Sequence, residues 1–330
     1  MKRTLGTLSD GQTVEAITLS AGDLTATVLT RGAILQDVRL KGIPHSLTLG
    51  SNDVAAYGAD LKYFGALVGP LANRISNATA PLGGQVLNLS ANEGTTSLHG
   101  GPNGMHIHLW TVTEQNADSV TMELKLPDGT EGYPGNRTLT ARFSVTAPAQ
   151  LTLEISATTD APTLINIANH SYWNLDGTAS MTGHALTVFA DAYTPVDAQL
   201  IPTGKQSVAG TGFDLRTGAI LGLPDGQRFD HNFCLNGVEG NLKQACILTG
   251  QSGVSMRIDT TEVGLQVFDA GPISSGDFKG HNGDIYGAFC GVALEAQRWP
   301  DAPNQDGFPS CVLRPEDTYS QTTSWTFSRT

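Results

Sequence analysis

Two short segments of this 330-residue chain combine proton-transferring side chains with polar neighbours. Residues 168–177, Ala-Asn-His-Ser-Tyr-Trp-Asn-Leu-Asp-Gly, bring His170 and Tyr172 together with two asparagines, just after an alternating run at 163–167 that predicts a strand. The second segment, Leu-Glu-Ala-Gln, places Glu295 and Gln297 in an otherwise apolar strand pattern. An imidazole gives or takes a proton near pH 7, because its unperturbed pKa is about 6.5. The two segments therefore predict general acid–base chemistry on a polar, ring-shaped ligand.

The strand pattern around Glu295 limits what its carboxyl group can do. Side chains alternate between the two faces of a strand, so Glu295 and Gln297 share one face with Ala293. A carboxyl group in an apolar strand has to be paired, to face a cavity, or to have a raised pKa. Two structural alternatives stay open. In the first, Glu295 lies on an edge strand and faces solvent. In the second, His170 is a core histidine whose hydrogen bonds the protein satisfies.

Three further segments interrupt the strand pattern with polar groups. A Gly-Pro loop contains Asn73 and Arg74, and the planar fork of an arginine suits paired hydroxyls or a carboxylate. His99 precedes two glycines, which allow a backbone or a ligand to come close. Asp230 begins an Asp-His-Asn sequence that lies between two phenylalanines. Each of these segments is a candidate for ligand contacts.

One pair of histidines suggests a different chemistry. His106 and His108, in the sequence Met-His-Ile-His-Leu-Trp, share one face if this segment is a strand, as the histidines of many metal sites do. A metal needs a third and a fourth ligand, and no glutamate or further histidine follows at a suggestive spacing. We therefore predict no metal and no cofactor. A metal-dependent β-barrel enzyme stays as an alternative that elemental analysis would decide.

The elements that must position these residues are strands. A period-two alternation of apolar and polar residues recurs along the chain, with Gly- and Asp-containing turns between the runs. Helical periodicity is limited to a weak stretch over 51–57, and no linker or repeat interrupts the chain. We predict an all-β fold, a large antiparallel sandwich or barrel, as one domain over residues 1–330. The predicted strands cover 13–19, 24–29, 34–40, 85–89, 109–113, 119–126, 138–145, 151–158, 185–190, 245–249, 254–259, 264–268, 292–296 and 324–328.

Composition excludes several classes of protein. With 39% hydrophobic and 15% charged residues, the chain is neither disordered nor a coiled coil. Its 19 Lys+Arg against 31 Asp+Glu give a net charge of −12, which opposes nucleic acid and anionic membranes as partners. Four cysteines without C-x-x-C spacing, and no signal peptide or apolar span, predict a reduced cytoplasmic protein.

Several segments, in order along the chain, resemble the aldose 1-epimerases, the galactose mutarotase family. Any one of them is a weak signal, and their combination in this order is highly specific. The matching segments are Ala-Asn-Arg-Ile at 72–75, Ser-Leu-His-Gly-Gly at 97–101, Glu-Gly-Tyr-Pro-Gly at 131–135, Asn-His-Ser-Tyr-Trp-Asn-Leu at 169–175, Phe-Asp-Leu-Arg at 213–216, Asp-His-Asn at 230–232, Leu-Glu-Ala-Gln at 294–297, Pro-Asp-Ala-Pro-Asn at 300–304 and Val-Leu-Arg-Pro at 312–315.

The resemblance implies a large antiparallel β-sandwich of the galactose mutarotase-like supersandwich type, with a sugar site in an open cleft. It implies interconversion of the α and β anomers of free aldoses without a cofactor. Glu295 matches the general base of the family and His170 its general acid. His99, Arg74 and Asp230 match residues that hold the sugar hydroxyls and ring oxygen. The further expected substrate-binding residues are Asn73, Tyr172 and Gln297.

Two other functions on the same fold remain as alternatives. An epimerase of hexose 6-phosphates would need several cationic groups at one end of the cleft, which the net charge disfavours. A non-catalytic sugar-binding module would need neither Glu295 nor His170. The segments at 104–110 and 269–274, and Trp173, depart from the usual family pattern, so the preferred sugar stays open. We expect a free monosaccharide as ligand, no nucleic-acid or membrane partner, and a monomer or homodimer.

Overall fold

The alternating apolar pattern folds into β-strands, many of which bury every second side chain. The computed structural model describes residues 1–223 and 226–329. In that part of the chain the regular elements are strands and short 3₁₀ helices. The 3₁₀ helices are Val54–Gly58, Ser76–Ala78, Met105–Ile107, Thr130–Gly132 and Ala302–Asn304.

The strands are numbered in chain order. They are β1 (Lys2–Thr7), β2 (Thr13–Ala21), β3 (Leu24–Leu29), β4 (Leu35–Leu40), β5 (Leu67–Val68), β6 (Arg74–Ile75), β7 (Thr79–Leu82), β8 (Gln85–Asn88), β9 (Ser97–Leu98), β10 (Thr111–Gln115), β11 (Ser119–Leu126), β12 (Arg137–Thr146), β13 (Gln150–Thr159), β14 (Thr163–Leu164), β15 (Ala168–Asn169), β16 (Tyr172–Trp173), β17 (Ala185–Val188), β18 (Ala190–Thr194), β19 (Gln206–Ser207), β20 (Ala219–Ile220), β21 (Asp230–Leu235), β22 (Lys243–Thr249), β23 (Val254–Thr260), β24 (Gly264–Phe268), β25 (Val292–Gln297), β26 (Val312–Leu313) and β27 (Tyr319–Arg329).

Three sheets account for most of these strands, and the paired strands are antiparallel. A nine-stranded sheet has the order β10-β11-β12-β13-β27-β23-β22-β17-β20, and a six-stranded sheet has the order β16-β25-β24-β21-β18-β19. A four-stranded sheet, β1 to β4, is formed by the N-terminal part of the chain. The prediction of an all-β, antiparallel fold is confirmed.

Long strands show how the sequence specifies register. In β12, buried positions alternate with partly exposed ones over most of its length, and β12 pairs with β13 from Arg137–Thr159 to Thr146–Gln150. A slip of one residue would turn the buried Leu139, Phe143 and Val145 towards solvent. The hydrophobic pattern therefore fixes the pairing as well as the strand.

The main core lies between the nine-stranded and the six-stranded sheet. Trp173 of β16 packs against Trp325 and Phe327 of β27, with ring centroids 6.0 and 5.8 Å apart. Val292 and Leu294 of β25 are buried in the same hydrophobic cluster. Sheet-on-sheet packing of this kind makes the fold a sandwich, as predicted.

β25 is an internal strand, because β16 pairs with one of its edges and β24 with the other. All six of its residues are buried, including Glu295, whose exposure is 2%. The alternative of an edge-strand Glu295 facing solvent is therefore wrong. With Leu294 in the core, Glu295 lies on the opposite face of the sheet.

Local predictions were less accurate where the chain is irregular. The weak helical stretch over 51–57 is a 3₁₀ helix, Val54–Gly58, capped by the Asp53 side chain, which accepts a hydrogen bond from Ala55 N at 2.9 Å. The alternating run at 163–167 is broken, because only Thr163–Leu164 and then Ala168–Asn169 are strands. The run predicted over 185–190 is two strands, β17 and β18.

Three expectations concern the whole chain, namely membrane-spanning segments, cysteine pairing and the number of domains. Among the described residues, no helix is long and apolar enough to cross a lipid bilayer. The four cysteines are buried and unpaired. The assignment of residues 1–330 to one domain stays a prediction.

Candidate active site

A cavity of about 220 Å³ opens on the face of the six-stranded sheet that lies away from the main core. Strands β16, β21, β24 and β25 contribute to its floor, and loops around β6 and β9 contribute to its walls. The cavity brings together seven of the eight expected site residues. Its lining consists of Tyr63, Asn73, Arg74, Glu93, Leu98, His99, His170, Tyr172, Asp230, Phe268, Ile273 and Glu295.

Glu295 is held by the strand ladder on the cavity floor. Its backbone pairs with Gln266 of β24, and its Oε2 atom is buried without a hydrogen-bond partner in the protein. Burial raises the pKa of this carboxyl well above its ordinary value of 4.5. The nearby Asp230 raises the pKa further, and the Arg74 guanidinium opposes this shift. A carboxyl of this kind is a stronger proton acceptor than an ordinary glutamate.

His170 faces that carboxyl across the cavity floor. Its backbone is fixed by hydrogen bonds with the turn before β5, from His170 N to Ala66 O at 2.9 Å and from Gly65 N to His170 O at 3.0 Å. His170 Nε2 lies 3.5 Å from Glu295 Oε1, and its Nδ1 has no hydrogen-bond partner in the protein. Burial lowers the pKa of the imidazole to about 4. An imidazole with unused hydrogen-bonding capacity differs from a core histidine whose hydrogen bonds are satisfied.

A second imidazole, His99, is locked in orientation by Asn73. The Asn73 backbone N–H donates to His99 Nδ1 at 3.1 Å, and His99 N donates back to Asn73 O at 3.0 Å. Since Nδ1 accepts a hydrogen bond, the neutral ring carries its proton on Nε2. Burial, followed by the proximity of His170, lowers the His99 pKa well below 6.5. His99 is therefore a neutral hydrogen-bond donor.

This local geometry depends on an unusual backbone. Asn73 and His99 both have positive φ angles, of 63° and 53°. The following Gly100 has a φ of +84°, and a Cβ atom there would collide with the carbonyl group of Gly69. The glycine after the histidine thus allows its backbone to lie close to Gly69, as the Gly-Gly sequence predicted.

Arg74 forms a charged network at the wall of the cavity. Its Nε and Nη2 atoms donate to the two Glu93 carboxylate oxygens at 2.6 and 3.0 Å, while Nη1 lies 3.7 Å from Asp230 Oδ2. Asp230 Oδ1 accepts a hydrogen bond from Gln266 Nε2 at 2.6 Å. Burial raises the Asp230 pKa, and Arg74 opposes that shift. The network presents a fixed cation and carboxylates to a ligand.

Two tyrosines supply aromatic surface. The Tyr172 ring stacks on Phe64 with centroids 4.1 Å apart and lies 5.1 Å from the His170 ring. The Tyr63 ring lies 4.7 Å from the His99 ring and 6.0 Å from the His170 ring. Rings of this kind bring flat apolar surface next to polar groups, an arrangement that suits a sugar ring.

Gln297 is the expected site residue that lies outside the cavity lining. It shares the strand face of Glu295 but is completely buried, and neither atom of its amide has a hydrogen-bond partner. The Asn232 amide is also buried without partners.

The predicted strand through His106 and His108 is wrong. Met105–Ile107 is a 3₁₀ helix, so His106 is buried with its ring 4.8 Å from Tyr63, whereas His108 lies farther out with Nε2 3.0 Å from Asn103 O. The two imidazoles therefore do not share a strand face, and the metal-site alternative built on them loses its geometric basis.

A different cluster has metal-ligand composition. In the described residues, His99, His170 and Glu295 form the one group of three such side chains, with ligand atoms within 4.8 Å of one another. A protonated ring nitrogen has no lone pair for a metal, and the Asn73 hydrogen bond keeps the proton on His99 Nε2. This tautomer suits hydrogen bonding to a ligand better than metal ligation.

Sequence reasoning missed several lining residues. Tyr63 and Glu93 come from loops without a motif, and Phe268 lies at the end of a predicted strand. Ile273 had a signal, because it lies in the segment at 269–274 that departs from the usual family pattern. Gln266 does not line the cavity, but it holds Asp230 in place.

Comparison with known proteins identifies the family of this chain. A family model described as aldose 1-epimerase matches residues 15–326. Human galactose mutarotase is 38% identical over 330 residues, covering 97% of this chain and 96% of the relative. Aldose 1-epimerase from Escherichia coli K12 is 34% identical over 340 residues, covering 96% of each chain.

Solved structures show the same fold. A C. elegans aldose epimerase homologue superimposes with a TM-score of 0.89 at 31% identity, covering 95% of this chain and 98% of that one. Galactose 1-epimerase from Lactobacillus acidophilus gives a TM-score of 0.85 at 27% identity, covering 100% and 98%. On the family match and the full-length similarity, this chain belongs to the aldose 1-epimerase family.

Proposed function

We propose that this protein is an aldose 1-epimerase, a carbohydrate isomerase that interconverts the α and β anomers of a free aldose. The single observation that carries the assignment of residues is the 3.5 Å contact between His170 Nε2 and Glu295 Oε1 at the cavity floor. Both groups are buried and keep polar atoms without partners in the protein. They are the proposed general acid and general base.

Ring opening needs a proton removed from the C1 hydroxyl and a proton added to the ring oxygen. Both oxygens are bonded to C1, so two groups in mutual contact are close enough to serve them together. Glu295 accepts the hydroxyl proton while His170 protonates the ring oxygen, and the bond between C1 and the ring oxygen breaks. The open-chain aldehyde rotates about its C1–C2 bond and closes on the other carbonyl face, with the two groups in reversed roles.

The proton count of the pair follows from its burial. Burial disfavours the charged form of each group, and we propose that the resting pair holds one proton between carboxyl and imidazole. Movement of that proton to His170 gives the carboxylate and imidazolium that the reaction uses. Acid–base assistance of this kind contributes typically about 10²–10⁴-fold to a rate.

The remaining proposed roles are in binding. The Arg74 guanidinium and the Asp230 carboxylate offer a donor and an acceptor for sugar hydroxyls, and the His99 Nε2–H offers a second donor. Asn73 acts through its contacts with His99 and Arg74. The Tyr172 ring supplies apolar surface. Gln297 is retained as a weaker proposal, because it does not line the cavity.

The charge of the cavity favours a neutral sugar over a sugar phosphate. Among the lining residues, Arg74 is the one Lys or Arg, and Glu93 and Asp230 already surround it. A phosphate group would need uncommitted cations and would meet carboxylates instead. The hexose-6-phosphate alternative is therefore disfavoured.

A binding module is disfavoured for a different reason. Binding alone gains nothing from a buried carboxyl whose pKa is raised, because burying an ionisable group without a full set of partners costs free energy. A catalyst benefits from the same burial, because a carboxylate with a raised pKa is a better base.

Polarimetry tests the proposal directly. Freshly dissolved α-glucose, α-galactose, α-xylose and β-arabinose are followed with the wild-type protein and with Glu295→Gln. We expect wild type alone to accelerate the decay of optical rotation, with a ranking that identifies the sugar. No acceleration with any of the four would contradict the proposal. His170→Asn and His99→Gln, compared by kcat, separate the two imidazoles as the source of the ring-oxygen proton.

A further inference from the structure

The backbone segments that carry the acid and the base separate beneath the cavity. They are paired where Tyr172 of β16 faces Ala293 of β25. Two residues away, His170 N donates to Ala66 O of the turn before β5, so this segment leaves the six-stranded sheet. The contact between His170 and Glu295 spans the gap. Because strand pairing does not join the two segments at this point, other contacts have to set the distance between them.

A first tie across the gap is the side chain of Asn166. Arg298 N donates to Asn166 Oδ1 at 2.8 Å, and Asn166 Nδ2 donates to Arg298 O at 3.3 Å. The buried amide thus makes, with Arg298, the two hydrogen bonds that a paired strand residue would make. It joins the segment before the imidazole to the segment after the carboxylate.

A second tie runs through β27. Ile167 N donates to the Tyr319 hydroxyl at 3.4 Å, and that hydroxyl donates to Gln321 Oε1 at 3.1 Å. Gln321 Nε2 then donates to Ala296 O at 2.9 Å. Tyr319 and Gln321 are both buried, and neither lines the cavity. The chain of bonds begins three residues before the imidazole and ends one residue after the carboxylate.

We propose that Asn166, Tyr319 and Gln321 are positioning residues that fix the spacing between the general acid and the general base. This inference rests on the proposed function of the cavity. Proton transfer between positioned groups is steeply sensitive to geometry, and a misplacement of about 1 Å costs about 10²-fold in rate. These side chains act on the reaction through the backbone next to each reacting group. The Tyr319 hydroxyl has a second acceptor, Glu262 Oε1 at 3.3 Å, which keeps its ring in place in a variant of Gln321.

The test compares two variants with a matched control. Tyr319→Phe removes the hydroxyl and keeps the ring, and Gln321→Met removes the amide at similar volume. The control is Thr323→Val, on the same strand, because Thr323 Oγ1 makes a buried 3.0 Å hydrogen bond with Thr260 Oγ1 that is not part of either tie. Tyr319→Phe removes a hydroxyl with three contacts, Gln321→Met removes an amide with two, and Thr323→Val removes a hydroxyl with one. Tm should therefore fall in all three variants, and least in Thr323→Val.

The expected result separates kcat from KM. Tyr319→Phe and Gln321→Met should each lower kcat about tenfold with KM within about twofold, since only the transition state depends on the spacing. The double variant should lose little more than the stronger single variant, because the bonds act in series. Thr323→Val should keep wild-type kcat. Unchanged kcat in Tyr319→Phe, or an equal loss in Thr323→Val, would overturn the proposal.

A second readout does not depend on mutarotase activity. The NMR signals of the His170 ring, followed against pH, report its distance from the Glu295 carboxyl through their titration midpoint. We expect the midpoint to move in Tyr319→Phe and to stay in Thr323→Val. If the wild-type protein has no mutarotase activity, the proposed function fails. A midpoint unchanged in Tyr319→Phe separately overturns the positioning role.

Discussion

Two His–carboxylate pairs in this protein have nearly the same separation and very different surroundings. His170 Nε2 lies 3.5 Å from Glu295 Oε1, and His184 Nδ1 lies 3.6 Å from Asp176 Oδ2. Distance and residue type do not distinguish the two pairs. Their remaining hydrogen bonds do.

The His184 pair is fully committed to the backbone. His184 Nδ1 donates to Met181 O at 2.8 Å, and its Nε2 accepts from Leu175 N at 2.9 Å. Asp176 accepts from two backbone N–H groups of the loop at 251–252, each at 2.9 Å. Burial alone would raise the Asp176 pKa, but the hydrogen bond from the Ser252 side chain, together with these backbone hydrogen bonds, outweighs it and lowers the pKa below 3.8.

The His170 pair keeps hydrogen-bonding atoms that have no partner in the protein. His170 Nδ1 and Glu295 Oε2 have no partners, and both residues line the cavity. Burial is uncompensated at Glu295, so its pKa is raised instead of lowered. We infer from the comparison that the pair whose polar atoms are left for a ligand serves the proposed catalysis, whereas the pair that the backbone satisfies has a structural role.

The largest effect should come from the two carboxyl groups. Glu295→Gln should lower kcat by about 10²–10⁴-fold with Tm unchanged or raised, because an amide cannot accept the C1 proton. Asp176→Asn should keep kcat within about twofold and lose about 1–3 kcal/mol of unfolding free energy, because an amide nitrogen cannot accept a backbone N–H. Polarimetry and urea unfolding measure both variants. Retention of more than about a tenth of wild-type kcat in Glu295→Gln would contradict the assigned role.

Substitution of the two histidines should also have different effects, one on catalysis and the other on stability. His170→Asn should lower kcat by about 10²-fold and change sugar affinity less, because the ring oxygen loses its proton donor. His184→Asn should lower Tm and keep kcat, since it leaves backbone groups of the loop around Leu175 without partners. Kinetics of the folded fraction and thermal unfolding distinguish these outcomes. An affinity loss with intact kcat would make His170 a binding residue.

The pH dependence of kcat/KM should report the shared proton. The pair is active with one proton, so activity should fall below about pH 4, where His170 takes up a second proton. It should also fall at high pH, when the pair loses its proton, and the raised Glu295 pKa moves that limb upwards. Asp230→Asn removes a negative charge, so its alkaline limb should lie at lower pH. An acid limb near 6.5, or an upward shift in Asp230→Asn, would contradict this account.

The smallest effect should be on sugar preference. Ile273 lines the cavity from the segment at 269–274, and its apolar side chain cannot donate or accept a proton. Ile273→Ala should change the ratio of kcat/KM between galactose and glucose by up to about tenfold, with kcat for the better sugar within about threefold. Equal loss for both sugars would show that Ile273 supports the fold of the cavity instead of its selectivity.

Regular strands were predictable because their signal is local. The alternation over 119–126 and 264–268 gave the bounds of β11 and β24 as observed, and each end of β12 was within one residue. The same rule failed at His106 and His108, since two residues with one spacer do not distinguish a strand from a 3₁₀ turn. A strand prediction is therefore more reliable when the alternating pattern is longer.

The site was predictable only in part, because its geometry is made by distant segments. Strand alternation placed Glu295 and Gln297 on one face, but it carries no information about where along β25 the cavity ends. Glu93 becomes part of the site only by meeting Arg74 across a loop. The Tyr319 and Gln321 tie depends on which strands pack behind the pair. Tertiary packing sets these contacts, and no local pattern encodes them.

The most direct test of the central claim is anomer exchange at equilibrium, measured by two-dimensional exchange NMR on galactose. Wild type, Glu295→Gln and Asp176→Asn are compared at equal concentrations of folded protein, with spontaneous exchange subtracted. We predict enzyme-dependent cross-peaks between the α and β anomers with wild type and with Asp176→Asn, and none with Glu295→Gln. Exchange in Glu295→Gln as fast as in wild type would contradict the account, as would its loss in folded Asp176→Asn.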